Sequence, residues 1–497
     1  MLMLLGGVLR GAKIECPKEY ENIEINGIVT DSREVSVGSM FVALRGNNTD
    51  GHKFIKQAIL NGAVVVVAEQ VRDECVGGAA IILVDDTRRA AALLYNSVCD
   101  FPSKRLGIIG VTGTNGKTSV CFMLKSIFEA AGISCGVIGT TGARISGSDE
   151  ELDTSGLTTP DAARLYPLLA KMAERGARYV FMEVSSHAIA AGRVAALDFE
   201  LGIFTNLSRD HLDFHKTMQD YFSVKASMFD RCRRKIINVD NSYGEELARL
   251  YPDAITCSVG GAADYFATDI EISNNGSSYT LCYHDGAERI AVGALGDFSV
   301  INSIQAAAAA LEIGLPIFAV KAGLARFFGA PGRMQRVYGG DFDAFIDYAH
   351  TPDALEVLLQ GANRFRSENG RLTVVFGCGG DRDRGKRKEM AHVASRLAHL
   401  SVITSDNPRS EDAGEIIADI LKGIDKEKPH AVIISRAEAI RYAILEARRG
   451  DVVIIAGKGH EKYQIDKNGT HVFDEEQIVR EALECRLKNE NNQITID

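Results

Sequence analysis

LGIIGVTGTNGKTS, residues 106–119, is the stretch from which the rest of this sequence is best interpreted. Its apolar first half is typical of a buried β-strand, and a glycine-rich loop then leads into a helical pattern. Backbone N–H groups of such a loop can surround phosphate oxygens, while a lysine reaches the terminal phosphates and a hydroxyl binds Mg²⁺. We therefore expect a site for ATP and Mg²⁺ formed by Gly113, Thr114, Asn115, Gly116, Lys117, Thr118 and Ser119.

The loop departs from the strict phosphate-loop spacing, because Val111 occupies the position of the first glycine. The alternative is a glycine turn that caps a helix and binds no ligand. The strand before the loop, the helix after it and the Gly-Lys-Thr triplet favour the phosphate site.

Strand and helix patterns alternate beyond this loop. RYVFMEVSS (178–186) and LGIFTNLS (201–208) predict strands. DAARLYPLLAKMAERG (161–176) and the alanine-rich NSIQAAAAALEIG (302–314) predict helices. Such alternation predicts a parallel sheet.

The residues before the loop predict a small α/β domain. GSMFVALRG (38–46) and AAIILVDD (79–86) predict strands, and FIKQAILNGA (54–63) predicts a helix that ends at Gly62. The opening MLMLLGGVLR is too short to span a bilayer, and we interpret it as a strand or loop that covers this domain. The polar, proline-containing CDFPSKR (99–105) predicts a linker.

A second boundary is predicted at FFGAPGRMQRV (327–337), where Pro331 and Gly332 interrupt the pattern. Beyond it, short buried strands with helices between them are predicted at LTVVFGCGG, LSVITSD, AVIIS and DVVIIAG. This pattern indicates a Rossmann-like domain, and the lack of GxGxxG means that a dinucleotide is not implied.

The expected fold is therefore α/β with three domains. Residues 1–101 form a small N-terminal α/β domain, residues 102–331 a central parallel-sheet ATPase domain with the phosphate loop, and residues 332–497 a C-terminal Rossmann-like domain.

Composition limits the classes of function. The chain has 497 residues, a formal net charge of −10 and 25% charged residues, which argues against nucleic-acid or membrane-surface binding but not against small anionic substrates. Its ten cysteines form no CxxC pair, so neither a zinc site nor a disulfide framework is indicated. We expect most of them to be small buried residues of a protein in the reducing cytoplasm.

Polar side chains follow two of the predicted central strands. EVSSH places Glu183, Ser185 and His187 at the carboxyl edge of the sheet, where α/β proteins bind ligands. In the next motif, TNLSRDHLDFH, oxygen and imidazole groups suited to a site near Mg²⁺ come from Asp210, His211, Asp213 and His215. The alternative is that these residues are polar loop residues that cap helices.

An ordered series of motifs resembles the Mur ligase family, ATP-dependent enzymes that form amide bonds in peptidoglycan precursor assembly. The series runs TDSREV, DGHKF, GTNGKTS, TTPD, EVSSH, TNLSRDHLD, PGRMQRV, DYAHTPDAL, GCGGDRDRGKR, DNPRSED and GKGHEKYQ. The resemblance implies that a substrate carboxylate attacks the γ-phosphate of ATP, and that an amine then displaces phosphate from the acyl phosphate. It further implies that the enzyme adds meso-2,6-diaminopimelate to UDP-N-acetylmuramoyl-L-alanyl-D-glutamate. We expect the enzyme to be a monomer.

The resemblance also implies roles for individual residues. The catalytic residues would be Lys117, Glu183, His211, Lys225 and His350. Metal ligands would be Thr118, Glu183, His211 and Lys225, the last carboxylated by CO₂ so that it offers oxygen atoms. ATP would also contact Asn302, Arg333 and Asp347, while Ser299 stands where the family often has asparagine. The alternatives are a surface lysine at 225, a helix cap at 302 and a turn-forming residue at 347.

Further positions are implied for the UDP-sugar dipeptide. The uridine side would contact Thr30, Ser32 and Asn47, and the muramoyl dipeptide Thr158, Thr159, Ser185 and Arg193. Ala191 replaces a frequent glutamine, which puts one polar contact in doubt. Alternatively, Ser32 begins a turn, and the two threonines cap a helix before Pro160.

The motif DNPR, residues 406–409, predicts which amino acid the enzyme adds. By resemblance, diaminopimelate-adding enzymes have this arginine, and physically a guanidinium can bind bidentately the extra carboxylate that distinguishes diaminopimelate from lysine. Pro408 stiffens the loop. The implied contacts are Arg387, Asp406, Asn407, Pro408, Arg409, Gly457 and Glu461. The alternative is that Arg409 only pairs with Glu411 or Asp412.

Two other classes of protein compete with this interpretation. Folylpolyglutamate synthase shares the fold and the acyl-phosphate chemistry, but would not be expected to carry DNPR or a UDP-binding first domain. A non-enzymatic, ATP-gated binding protein would hydrolyse ATP without regard to the amino acid.

Overall fold

The computed structural model describes residues 2–46, 49–71, 77–148, 150, 152, 154–208, 212–273, 276–296 and 298–494, with the backbone alone at 212–213 and 488–494. The chain divides into two compact units. The first consists of Met1–Phe266 and Ile304–Gly323, and the second of Ala267–Ser303 and Leu324–Asp497. The domain boundaries predicted at residues 101 and 331 stay predictions.

Strands and helices alternate through the first part of the chain. The strands are β1 Met3–Leu4, β2 Glu24–Ile25, β3 Gly27–Val29, β4 Ser39–Val42, β5 Ala63–Ala68, β6 Ala80–Leu83, β7 Gly107–Thr112, β8 Cys135–Gly139, β9 Gly142–Ile145, β10 Tyr179–Glu183, β11 Phe199–Phe204, β12 Cys232–Asn238, β13 Ile255–Ser258 and β14 Tyr265–Ser273. The helices are α1 Leu5–Gly11, α2 Ile55–Leu60, α3 Thr87–Val98, α4 Pro102–Arg105, α5 Lys117–Ala130, α6 Ala162–Glu174, α7 Ser186–Ala190, α8 Leu212–His215, α9 Met218–Ala226, α10 Ser242–Leu250, α11 Phe298–Ile313 and α12 Ile317–Ala325.

The N-terminal part of the first unit is built on a parallel four-stranded sheet in the order β3-β4-β5-β6. Here the interpretation of the opening residues was wrong, because only Met3–Leu4 is a strand and α1 follows at once. Leu5, Val8 and Leu9 recur at helical spacing and are buried, so packing on one face of a helix determines the local structure. The predicted linker contains the one-turn helix α4.

The central sheet of the first unit follows the predicted strand–helix alternation. Its strands run in the order β13-β12-β11-β7-β10-β8-β9, and all neighbouring pairs are parallel except β8 with β9. β7 lies between β10 and β11, so the carboxyl ends of these three strands meet at one edge. In an open α/β sheet this is the edge where ligands bind.

The second unit contains an antiparallel hairpin, β15 Gly276–Tyr283 with β16 Gly286–Val292, and a separate α/β layer. Its further strands are β17 Gln335–Gly339, β18 Asp343–Asp347, β19 Leu372–Phe376, β20 Leu400–Ile403, β21 His430–Val432, β22 Val452–Ala456, β23 Tyr463–Asp466 and β24 Gly469–Val472. Its further helices are α13 Pro352–Asn363, α14 Gly385–Leu397, α15 Ala413–Leu421, α16 Arg436–Leu445 and α17 Glu475–Ile494.

Six strands of this unit form a sheet in the order β17-β18-β22-β19-β20-β21, parallel except for β17. Apolar clusters cover both faces, as expected for a doubly wound fold. One prediction fails, because β21 is not buried: His430 and Val432 are exposed at the sheet edge. Within the described residues, no helix combines the length and apolar content needed to cross a membrane.

Candidate functional sites

The predicted phosphate loop joins the end of β7 to the start of α5. Gly113 passes so close to Thr205, which directly follows β11, that an added Cβ would lie 1.9 Å from Thr205 Oγ1, and its φ is +148°. Thr114 N–H donates to Asn206 O at 2.9 Å, and Thr205 Oγ1 donates to Asn115 O at 2.6 Å. The loop is therefore held in shape by the strand beside it.

The start of α5 suits an anion. Gly116 precedes the helix with φ +88°, and the N-terminus of a helix directs backbone N–H groups towards an anion. Lys117 Nζ donates to the carbonyl oxygens of Gly113 and Thr114 at 3.0 and 2.8 Å, so its ammonium lies over the loop. A phosphate held there would meet both the helix N-terminus and the lysine.

Beside the loop, a hydroxyl and a buried carboxylate are in contact. Thr118 Oγ1 donates to Glu183 Oε1 at 2.9 Å, which joins the first turn of α5 to the end of β10. Thr140 supports the same carboxylate, because its N–H donates to Oε1 and its hydroxyl to Oε2. Oxygen donors of this kind fit Mg²⁺. No cluster of three or more acidic, histidine or cysteine groups that could hold a metal occurs among the residues that the structure describes.

The predicted dipeptide contacts lie at the same sheet edge. Thr159 Oγ1 donates to Glu183 O at 2.8 Å and accepts from Ser185 N–H at 3.0 Å. Arg193 Nη1 donates to Thr159 O at 2.8 Å, and Thr158 Oγ1 lies 3.1 Å from the hydroxyl of Thr140. The threonines do not cap the next helix, because Asp161 is the N-cap of α6.

Lys225 is not a surface lysine. It lies on α9 with 1% of its surface exposed, and its Nζ donates to Gly113 O at 2.9 Å. The ring of Tyr221 lies 4.7 Å from the same nitrogen. The lysine that resembles the carboxylated residue is thus directly beside the phosphate loop.

The motif after β11 is described only in part. Asp210 and His211 lie outside the described residues, as does the side chain of Asp213. His215 is buried, and its Nε2 lies 2.8 Å from Ser186 Oγ. The end of this motif therefore contacts the serine-rich turn that carries Ser185.

Only two of the three residues predicted to contact uridine lie within the described residues. Thr30 and Ser32 follow β3, and both are half-buried, whereas Asn47 lies outside the described residues. Ser32 O accepts from Asn61 Nδ2 at 3.2 Å. Ala191, where the family often has glutamine, is the C-cap that follows α7 and offers no polar side-chain atom.

In the second unit, three predicted positions cluster around the end of β18. Asp347 accepts from the N–H groups of Met334 and Ala349 at 2.7 and 2.8 Å, and burial raises its pKa although Arg333 opposes this. The guanidinium of Arg333 lies 4.7 Å from the ring centre of Tyr348. Loss of hydration lowers the pKa of His350, as do Lys386 and Arg333.

Two further predicted nucleotide positions lie on α11. Asn302 is buried within the helix rather than at its cap. Ser299, which replaces the frequent asparagine, donates to Gly296 O at 2.6 Å.

The DNPR loop is fixed at several points. Arg409 adopts φ +54°, and its N–H donates to Ile465 O at 3.0 Å. Its Nη1 donates to Gly380 O at 2.8 Å. The two acidic residues considered as alternative partners of Arg409 bind other groups, because Glu411 pairs with Arg387 and Asp412 is the N-cap of α15.

The other predicted amino-acid contacts surround this loop. Asn407 Nδ2 donates to Glu461 Oε2 at 2.9 Å. Asp406 lies against Gly457, where an added Cβ would come within 2.9 Å of Oδ2. Arg387 is buried and paired with both Glu411 and Asp419, and it holds the pKa of Glu411 below its usual range.

Sequence reasoning missed three residues here. Thr140 binds Glu183, Lys386 Nζ donates to His350 O at 3.0 Å, and Lys458 contacts both Asn407 and Glu461. The signal for Lys458 was a lysine between two glycines directly after a buried strand, at GKG.

Three sequence models of Mur ligase domains match the chain. They are described as the Mur ligase family catalytic domain at residues 24–95, the Mur ligase middle domain at 111–310 and the Mur ligase glutamate ligase domain at 332–459.

Individual relatives cover almost the whole chain. The UDP-N-acetylmuramoyl-L-alanyl-D-glutamate–2,6-diaminopimelate ligase of Syntrophomonas wolfei is 42% identical over 98% of this chain and 100% of its own. A solved structure of a ligase with that same name is 34% identical, with a TM-score of 0.72 over 97% of this chain and 99% of its own. A MurF ligase from Thermotoga maritima in complex with ADP, 17% identical with a TM-score of 0.60 over 93% and 98%, is alike in fold.

Proposed function

Because this chain belongs to the Mur ligase family of three-domain, ATP-dependent ligases, we propose that it joins meso-2,6-diaminopimelate to UDP-N-acetylmuramoyl-L-alanyl-D-glutamate. The amide forms at the D-glutamate, ATP is converted to ADP and phosphate, and the product is a peptidoglycan precursor. The observation that supports the choice of amino acid most strongly is Arg409, whose guanidinium is anchored to the carbonyl oxygens of Gly380 and Asn407.

In the first step a substrate carboxylate attacks the γ-phosphate, which brings two anions together. We assign the phosphates to the loop N–H groups and to Lys117, which offsets charge as the phosphoryl group moves. Thr118 and Glu183 would hold Mg²⁺, whose positive charge neutralises the phosphate oxygens. We assign His211 and a carboxylated Lys225 to the ligands of a second ion on the family resemblance.

In the second step the amine of diaminopimelate attacks the acyl phosphate and phosphate leaves. His350 is an active-site candidate because its lowered pKa keeps the ring neutral near neutral pH, in the form that can accept a proton. Thr158, Thr159, Ser185 and Arg193 would position the dipeptide, since they lie together with Glu183 at one strand end.

We propose that ATP also contacts Asn302, Arg333 and Asp347, and that residues 1–101 bind the uridine part through Thr30, Ser32 and Asn47. Residues 102–331 would carry the ATP site, and residues 332–497 the amino-acid site. The reaction would take place in the cytoplasm, with the enzyme as a monomer.

For diaminopimelate, Arg409 would bind the distal carboxylate and Glu461 the distal ammonium, with Asp406, Asn407, Pro408, Arg387 and Gly457 around them.

The decisive experiment measures phosphate release by the purified protein with ATP, the UDP-sugar dipeptide and a panel of diamino acids. Release should require both the dipeptide and meso-diaminopimelate. Preference for L-lysine would contradict the assignment of Arg409. Release that ignores both substrates would indicate an ATP-gated binding protein, and use of a folate with glutamate would indicate a folylpolyglutamate synthase.

A further inference from the structure

Lys458 is a fully buried lysine, separated from the end of β22 by one glycine. Its Nζ donates to Asn407 Oδ1 at 2.9 Å and to Glu461 Oε2 at 3.3 Å. The ring centre of Tyr463 lies 5.4 Å from the same nitrogen. A buried ammonium is costly unless it is paired, and here both polar partners are proposed amino-acid contacts.

This ammonium sets the orientation of the Asn407 amide. Oδ1 accepts from Lys458 and also from Ile465 N–H at 2.9 Å, while Nδ2 donates to Glu461. A flipped amide would turn its NH₂ group toward two other donors and would lose all three hydrogen bonds. Asn407 and Glu461 are therefore held in one arrangement from the buried side.

The ammonium also balances the charge of the proposed distal pocket, by which we mean the side chains of Asp406, Arg409, Lys458 and Glu461. Arg409 and Lys458 are cationic, and Asp406 and Glu461 are anionic, so these four groups sum to zero. The neighbouring charges are paired among themselves, Arg387 with Glu411 and Asp419, and Arg436 with Glu475. The distal end of diaminopimelate carries one ammonium and one carboxylate and is also neutral, whereas that of lysine carries a single positive charge. Without Lys458 the pocket would carry a net negative charge, which would favour the lone cation.

We propose that Lys458 is a second specificity-determining residue, which holds Asn407 and Glu461 in place and matches the charge of the pocket to a zwitterionic distal group. The inference rests on the proposed function, because it assumes that Arg409 and Glu461 bind the distal end of a diamino acid. Lys458 acts through Asn407 and Glu461, so it is a positioning residue and not a catalytic one.

The test compares kcat/KM for meso-diaminopimelate and for L-lysine in the intact enzyme. Lys458→Met removes the charge and the donors, Lys458→Gln keeps an N–H donor without the charge, and Lys458→Arg keeps the charge. We expect Lys458→Met to lower the ratio of diaminopimelate to lysine kcat/KM by at least about tenfold, through KM. Lys458→Gln should lower the ratio with a smaller rise in KM, and Lys458→Arg should preserve the ratio.

Lys171→Met is the matched control, because it removes an ammonium that pairs with Glu150 at 3.1 Å on the exposed surface. In this control the ratio should not change, and in every variant KM for ATP should stay within about twofold of the wild-type value. An equal loss of kcat/KM for diaminopimelate and for lysine in Lys458→Met would overturn the inference. So would an unchanged ratio in Lys458→Gln, or the failure of both Lys458→Met and Lys458→Gln to fold. Wild-type protein that does not use diaminopimelate would instead refute the proposed function itself.

Discussion

The Nη1 atom of Arg409 lies 2.8 Å from the carbonyl oxygen of Gly380, so the arginine of the DNPR loop is anchored to the glycine loop that follows β19. Arg409 also holds a left-handed backbone conformation, which costs a non-glycine residue of order 1 kcal/mol or more. The guanidinium is thus presented from a fixed backbone and needs little ordering when it binds an anion.

Arg409→Ala should raise KM for meso-diaminopimelate by at least about a hundredfold, because loss of one partner of a buried charged pair costs roughly 3 kcal/mol. Alanine pays a similar backbone penalty at this φ, so the effect should come from the guanidinium. Steady-state kinetics should show KM for ATP and for the UDP-sugar nearly unchanged. Arg384→Ala, which removes an exposed guanidinium that pairs with Glu411, is the control and should bind diaminopimelate normally.

Gly380→Ala tests the contact from the other side. An added Cβ would lie 1.9 Å from Pro408 O, so the DNPR loop has to move. KM for diaminopimelate should rise by roughly tenfold or more, since an ångström of misplacement weakens a charge-assisted contact strongly. Gly361→Ala in α13 is the control, because nothing lies within 4 Å of its added Cβ, and it should raise the free energy of unfolding by about 0.5–1 kcal/mol. Normal diaminopimelate kinetics in Gly380→Ala would mean that the loop position does not matter.

Lys225→Ala should reduce acyl-phosphate formation by at least about a hundredfold, and a small carboxylate such as formate should partly restore it. The restoration is the informative readout, because simple loss of packing would not respond to an added anion. Lys235→Ala is the matched control, because Lys235 also lies over a tyrosine ring, that of Tyr251, but pairs with the exposed Asp253. Wild-type turnover in Lys225→Ala without added carboxylate would contradict the carbamate assignment.

Glu183→Gln keeps an oxygen that can accept from Thr118 and Thr140 but removes the negative charge. We expect ATP-dependent turnover to fall at least about a hundredfold and the Mg²⁺ concentration at half-maximal rate to rise. Titration of Mg²⁺ in the phosphate-release assay measures both quantities. Glu129→Gln, on the same helix as Thr118 but paired with Lys125 at its surface, should leave the Mg²⁺ dependence unchanged. An unaltered Mg²⁺ curve in Glu183→Gln would exclude this carboxylate as a ligand.

Cys378 lies in the loop that receives Arg409, yet it should be inert. Burial raises the pKa of its thiol to about 12, so the reactive thiolate is scarce near neutral pH. Iodoacetamide at about pH 8 should modify the exposed Cys485 before Cys378 and leave turnover intact, as peptide mapping with activity assays would show. Rapid inactivation with label on Cys378 would show that this loop opens readily.

The sequence predicted the elements that have a strong period or a distinctive loop. β7, the phosphate loop and α5 were found because an apolar run, glycines and a helical pattern follow one another directly. The opening segment was misjudged because a run of apolar residues fits a strand, a loop or a helix equally, and only burial of Leu5, Val8 and Leu9 favours the helix.

Local sequence patterns alone did not predict side-chain partners that are distant in sequence. Lys458 contacts Asn407, 51 positions away, and a single lysine between glycines carries no periodic signal of burial. Lys225 was predicted only through the family resemblance, because its helix has a weakly amphipathic sequence and the lysine is buried beside the phosphate loop. Such contacts depend on how strands are ordered in the sheet, which local patterns do not specify.

The support of the phosphate loop by β11 has a consequence during protein synthesis. Asn115 is held by Asn206, which the ribosome adds 91 positions later, and β7 has no partner on that side until β11 has emerged. A nascent chain that ends before Asn206 therefore contains every residue of the loop but lacks the bonds that shape it. Because such distant strand pairings form slowly, we expect ATP to bind and stabilise this domain only late in its synthesis.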